Sequence, residues 1–468
     1  MGNVIAQIAL LGWPVATLLL FLTMSTQRAI VASLVGAYLL LPFGLVYDFP
    51  GVPLLDKNSI PNVVTFLLAL LLGRSGEFRW IRSIPVNLLL FAYVFGPFAT
   101  GYANPDALTI GSVMMPGLSL YNSFSLAASR AIEVMPFILG AGLLNKERAH
   151  RDILLVFVLA ALAYTPPMLM EIVKGPFFQA RLYGIDPGDF YQQQIRGSSF
   201  RSMVLIGHGL LASTFIALAV LAAIGMWRSR LRVWGIPALA CAASLFVVLI
   251  LNKSAGALVF IVLIAPLLLF SPRRFLTIVL AVGLVLVTYP TLRASGLIPV
   301  ETIRSTAFSF SKDRGGSLDI RLRNEDILLA RASQRPLFGW GGYNRNRVFV
   351  VSEWGGTKDI TLTDGTWIII LGTSGWLGYV ALFGLLCYPF WHVFKRRKSD
   401  ISPATLALVA MLLFNVLDLI PNSSLKPITW LIAGALAGFT AVRPQQQQRP
   451  RHLVGAAGMP PERVTTPA

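Results

Sequence analysis

Residues 231–290 read LRVWGIPALACAASLFVVLILNKSAGALVFIVLIAPLLLFSPRRFLTIVLAVGLVLVTYP, and the only charges among them are Arg232, Lys253, Arg273 and Arg274. Three apolar runs, 231–251, 255–271 and 274–290, are parted by Asn252-Lys253-Ser254 and by Pro272-Arg273. Crossing the hydrocarbon core takes a helix of about 20 mostly apolar residues. The stretch therefore predicts membrane helices rather than the core of a water-soluble domain. The same pattern recurs on both sides. Of 468 residues 55% are hydrophobic and 13% charged, against about 25% charged in soluble domains, and the mean hydropathy is +0.68.

Apolar runs bounded by charge or by Pro and Gly give roughly thirteen candidate spans, of which 61–74 and 130–145 are short. The expected fold is an all-α, polytopic transmembrane helical bundle of about 12 (10–13) spans over residues 1–441. Two long outer segments interrupt it, 174–201 and a large extracytoplasmic loop at 291–364 containing an amphipathic helix. The tail from 442 to 468 is rich in Gln, Pro and Arg and reads as disordered and cytoplasmic. No charged region precedes the first apolar run, so a cleaved signal peptide is not expected.

The net charge is +18. Much of the excess lies in alternate short turns: Arg28; Arg74, Arg79 and Arg82; Lys146, Arg148 and Arg151; Arg228, Arg230 and Arg232; Arg273 and Arg274; Lys395 to Lys398. Basic turns face the cytoplasm, which accounts for the charge by topology and anionic lipid and leaves nucleic acid without support. Cys241 and Cys387 both lie in apolar runs, and His150, His208, His392 and His452 are scattered. Neither a disulfide framework nor a metal site is expected, and no cofactor is indicated.

The loop 291–364 holds eleven Lys/Arg and eight Asp/Glu. Within it, SLDIRLRNEDILLARASQRP at 317–336 reads as an amphipathic helix, with Ser317 a possible cap and Pro336 a stop. Arg321, Arg323, Arg331 and Arg335 decorate it, and Arg321 stands four residues before Glu325, the spacing of a local ion pair. Two readings follow. The helix is a salt-bridged surface element lying on the membrane, or some of its arginines fork onto the oxygens of a polyanionic ligand. LFGWGGYNRNR at 337–347 places three glycines before Arg345 and Arg347, either as a structural turn or as a chain segment closely approached by a ligand. Asp364 precedes the next apolar run, where a carboxylate caps the helix or serves as a base. Gly372, Gly375 and Gly378 suit close helix packing. In the other outer segment Arg196 and Arg201 stand out, with His208 beyond them. Lys253 breaks the charge alternation and is either snorkelling or ligand-facing.

Together these features resemble the O-antigen ligase and Wzy-type polysaccharide polymerase superfamily. The resemblance rests on Arg321, on RPLFGWGG at 335–342, on Gly375 and Gly378, on Arg196 in QIRGSSF, and on the NKSAGAL turn at 252–258. It departs at Asp364-Gly365, where members carry His-Asn, and at Glu325, where members carry tryptophan. It implies a metal-independent glycosyltransferase of the bacterial cytoplasmic (inner) membrane, with its large loop outside. The donor would be a lipid-linked oligosaccharide on undecaprenyl diphosphate and the partner a glycan acceptor, with flippase and chain-length regulator proteins as further partners. Arg196, Arg321 and Asp364 would be catalytic. Arg323, Lys253, Arg331, Arg335 and Arg345 would bind substrate. The competing readings are a transporter or flippase for an anionic lipid-linked glycan, which would place ionisable groups in mid-membrane, and a non-enzymatic envelope assembly factor.

Overall fold

The computed structural model describes residues 2–49, 52–73, 78–186, 188–197, 199–310, 312–351, 356–397 and 401–440. The tail at 442–468, and Arg74 and Lys398 of the basic turns, lie outside the described residues. The chain is a helical bundle with, among the described residues, four small two-stranded antiparallel hairpins. Among the described residues six helices are long and apolar enough to cross a membrane: Ile84–Tyr102, Leu120–Leu143, Glu147–Lys174, Gly209–Arg228, Pro272–Ala294 and Thr366–Phe394. Counting the bent pair Val4–Leu11 and Trp13–Thr23 as one span makes seven.

The expected count of about twelve spans is therefore wrong, and the cause is specific. Apolar composition runs past the ends of the helices it feeds. The run 231–251 opens as a hairpin, Arg232–Val233 with Ile236–Pro237, so its helix is only Ala238–Leu251. The run 255–271 changes at Ala265 from an α-helix to a 3-10 turn around Pro266. Pro403–Asp418 and Pro427–Ala437 have 16 and 11 residues, short of the ~20 that span the hydrocarbon. Both are apolar and buried almost all round, which suits the centre of a bundle. Gly434 makes one such contact possible, since a Cβ there would lie 2.0 Å from the Phe137 carbonyl oxygen.

The expected single loop at 291–364 is mostly regular. Pro272–Ala294 runs into it, followed by helices Val300–Phe310 and Lys312–Ser333 and by a hairpin of Phe349–Val351 with Thr357–Asp359. Ser317 lies inside the second helix rather than capping it, and that helix ends three residues before Pro336.

Hydrogen bonds gather the turns at two ends. At one, Arg28 pairs with Asp152 at 2.7 Å, Arg79 N–H donates to the Gly142 carbonyl at 3.3 Å, and Arg273 donates to the carbonyls of Phe394 and Arg396. This is the end of the basic turns. At the other, Lys57 donates to the Leu205 carbonyl, Ser202 N–H to Asn252 Oδ1 and Thr366 N–H to the Leu419 carbonyl. The segments 174–208 and 293–365 belong to this second end.

Candidate active site at the loop end

The helix Thr366–Phe394 is broken at Gly375, where φ is +61° and ψ −162°. The break frees backbone groups, and the turn after Pro336 takes them up. Trp376 N–H donates to the Pro336 carbonyl at 2.7 Å and Leu377 N–H to Leu337 at 3.1 Å. Trp340 N–H and Gly341 N–H donate back to the carbonyls of Gly372 and Thr373 at 2.8 and 2.9 Å. Such contact between two backbones leaves no room for side chains. A Cβ on Gly339 would lie 2.5 Å from Ser374 N, and one on Gly375 would lie 2.4 Å from the Leu337 carbonyl. The three-glycine segment is thus a plug in a broken helix, and the close approach is to protein.

Arginines from the last turn of Lys312–Ser333 onward hold this plug. Arg331 stacks on the Trp340 ring at 3.4 Å and donates to the Arg345 carbonyl. Arg335 lies 4.5 Å from the same ring centre and bonds Asn104 Oδ1 at 2.8 Å. Arg345 is 0% exposed, donating through Nε to Trp340 and through one terminal nitrogen to the carbonyls of Asp106 and Pro116. All three are engaged in holding the chain. Arg323, at 67% side-chain exposure, pairs with Asp319 at 3.0 Å.

Arg321 behaves differently. Its expected partner Glu325 is not its partner: Arg321 Nε lies 3.2 Å from Asp364 Oδ2, with both side chains partly open to solvent, and Glu325 turns inward. Glu325 accepts from Trp367 Nε1 at 3.2 Å and lies 3.8 Å from Arg293 Nε. Four residues along a helix bring two side chains to one face, but Glu325 gains more from the buried indole. Burial pushes its carboxyl up to about 7, against the opposing effects of Trp367 and Arg293.

The segment 174–208 is organised by a residue that sequence reading missed. Glu171, fully buried near the end of Glu147–Lys174, accepts from Phe177 and Phe178 N–H through one oxygen, and from Ser202 Oγ, Met203 N–H and Val204 N–H through the other. A lone glutamate in an apolar run was the available signal, since a carboxylate there must find donors. Asn252 adds a second clamp, accepting from Ser202 N–H at 2.7 Å. Lys253 Nζ donates to the Arg196 carbonyl at 3.1 Å, supporting the hairpin Ile195–Arg196 with Ser199–Phe200.

These clamps bring Arg196, Arg201 and His208 within electrostatic reach of Arg321, more than a hundred residues away in sequence. Arg201 is buried, its Nε–H unmet. Burial, then Arg196 and Arg321, push its guanidinium down to about 9. It lies across the first turn of Gly209–Arg228, where a Cβ on Gly209 would come 2.4 Å from Arg201 Cδ. Burial, then Arg201, Arg196 and Arg321, push His208 down to about 4. His208 Nδ1 accepts from Leu210 N–H and Nε2 faces Gln193 Oε1, so the ring is neutral and engaged at both nitrogens. Like charges gathered at a helix N-terminus repel one another and the helix dipole. An anion relieves all of these at once. Among the described residues no group of three or more His, Cys, Asp or Glu side chains is placed to hold a metal ion.

Residues 239–383 match the family model of the O-antigen ligases, so this central part of the chain carries a domain of that superfamily. It spans the NKSAGAL turn, the loop helix, the plug and the broken helix, whereas Arg196 and Arg201 fall before it. No curated protein and no solved structure matches the chain.

Proposed function

We propose that this chain, with an O-antigen-ligase domain at its centre, transfers a glycan from an undecaprenyl-diphosphate donor to an acceptor sugar on the outer face of the bacterial cytoplasmic membrane. The observation that carries this reading is the convergence of Arg196 and Arg201 from one segment with Arg321 from another, beside the carboxylate Asp364. The basic turns gathered at the far end favour an outward-facing mouth.

The acceptor hydroxyl attacks the sugar C1, the bond from C1 to the diphosphate oxygen breaks, and its electron pair leaves with the diphosphate. Guanidinium groups fixed before the reaction stabilise that charge without rearranging. Arg321 and Asp364 form a pair that a diphosphate would divide. Once phosphate oxygens hold the guanidinium, Asp364 is free to take the proton of the attacking hydroxyl. Arg323, two residues beyond Arg321 and paired with Asp319, and Lys253, whose Nζ bonds the Arg196 carbonyl, assist. Arg331, Arg335 and Arg345 act by holding the plug.

Arg321→Ala abolishes polymer or ligated product at unchanged membrane abundance, and Arg321→Lys restores little, because a point charge replaces a fork. Normal product from the alanine variant would overturn the assignment. Asp364→Asn lowers turnover by about 10²–10⁴-fold if Asp364 is the base, and full turnover from that variant would leave it only a partner of Arg321. Surface glycans of a deletion strain separate the two reactions of the superfamily. Single repeats without long chains mark a polymerase, and accumulated lipid-linked polymer marks a ligase.

A further inference from the structure

We infer that the opposite end of the bundle carries a binding site for an anionic phospholipid. A cavity of about 1040 Å³ opens there between the segment 78–85 and the ends of Leu120–Leu143, Thr366–Phe394 and Pro427–Ala437. That is at or above the ~300–1,000 Å³ of small-molecule sites and far more than a phosphate ion needs. Arg79, Arg82 and Arg396 line it, and among the described residues its walls contain no carboxylate. None of the three arginines takes part in an ion pair among the described residues.

The walls are built rather than incidental. Arg79 N–H bonds the Gly142 carbonyl, Asn87 Nδ2 bonds that of Ile81, and the Ser83 and Tyr388 hydroxyls meet at 2.8 Å. Arg396 donates to the Phe439 carbonyl at 2.9 Å, which holds its guanidinium against the cavity. Trp80 and Tyr388 add aromatic rings to the lining, as suits the level of lipid headgroups.

What commits the site to a lipid rather than to a soluble phosphate is the helix leading away from it. Ile84 lines the cavity and is exposed, and Leu88 and Phe91 follow it, also exposed, along Ile84–Tyr102. Spacings of four and three residues put these side chains on one helix face. A phosphate seated among the arginines thus has an apolar track for its acyl chain. The phosphate diester supplies the charge and the chain follows the track, so a single phospholipid satisfies both. Basic pockets between membrane helices at a cytoplasmic end have this character.

The test uses the full chain purified in detergent, supplied with phosphatidylglycerol or phosphatidylcholine and examined by native mass spectrometry. Phosphatidylglycerol is retained and phosphatidylcholine is not. Arg79→Gln with Arg82→Gln weakens retention by about fivefold for each arginine, whereas Arg79→Lys with Arg82→Lys keeps most of it. Arg148→Gln, which removes an exposed charge at the same end outside the cavity, changes nothing. Equal retention of both lipids, equal loss in Arg148→Gln, or displacement by millimolar inorganic phosphate alone would each overturn the inference. Phosphate displacement would mark the cavity as a site for soluble anions.

Discussion

At Gly375 the backbone takes φ +61° and ψ −162°, a combination open essentially to glycine alone. It does so in the middle of an apolar helix, where an unmet peptide group is costly. The structure accepts that cost because the 336–341 turn bonds to both sides of the break. Gly375→Ala should therefore destabilise the protein by at least about 1–3 kcal/mol, since strain adds to a contact of 2.4 Å with the Leu337 carbonyl. A drop in the thermal midpoint of the purified protein would report it, and an unchanged midpoint would contradict this account of the break. Sequence reading singled out Gly375 for helix packing and left Gly339 between a structural turn and an approach to ligand. Glycine marks close approach, and the residue alone does not say to what. Arg345 misled in the same way, since its charge suggests a ligand while its position makes it a buried staple for three carbonyls.

At the scale of elements, the loop helix Lys312–Ser333 is anchored through the adjacent carboxylates Glu325 and Asp326. Arg293, on Pro272–Ala294, reaches Asp326 at 2.6 Å and Glu325 at 3.8 Å, and Trp367 bonds Glu325 from the broken helix. Burial raises Glu325 from 4.5 to about 7, so between those values the docked helix binds a proton that the undocked helix releases. Docking is then fully favoured below about 4.5 and weakens as the pH rises through 7. Hydrogen exchange along this helix should accelerate between pH 4.5 and 7 beyond the intrinsic chemical increase, and Glu325→Gln should abolish that excess. A wild-type excess that persists in the glutamine variant would assign the effect elsewhere. The helix itself was legible from its spacing of leucines and arginines. Its anchoring was not, because Arg293 and Trp367 lie outside the loop and periodicity says nothing about partners across elements. Arg321 with Asp364 shows the same limit: both residues were legible as candidates, their pairing was not.

At the scale of the whole molecule, composition settles the class and misjudges the count. The runs that ended as Ala238–Leu251, Ala255–Ile264, Pro403–Asp418 and Pro427–Ala437 have hydropathy without the matching helix length. Hydropathy records where water is excluded, and a turn buried by neighbouring helices is as dry as a helix in lipid. The alternation of basic turns proved the better guide to architecture, since hydrogen bonds gather those turns at one end. That division makes orientation testable. Arg323 stands exposed at the loop end and Arg148 exposed at the other. Cys241 and Cys387 are both buried, so the native thiols give a low labelling background. If basic turns face the cytoplasm, Arg323→Cys reacts with a membrane-impermeant maleimide in cells whose outer barrier alone is opened. Arg148→Cys then reacts only after the cytoplasmic membrane is breached. The reverse pattern would put the arginine cluster on the side where nucleotide-activated sugars are available, and with it would fall the case for a lipid-linked donor at that mouth.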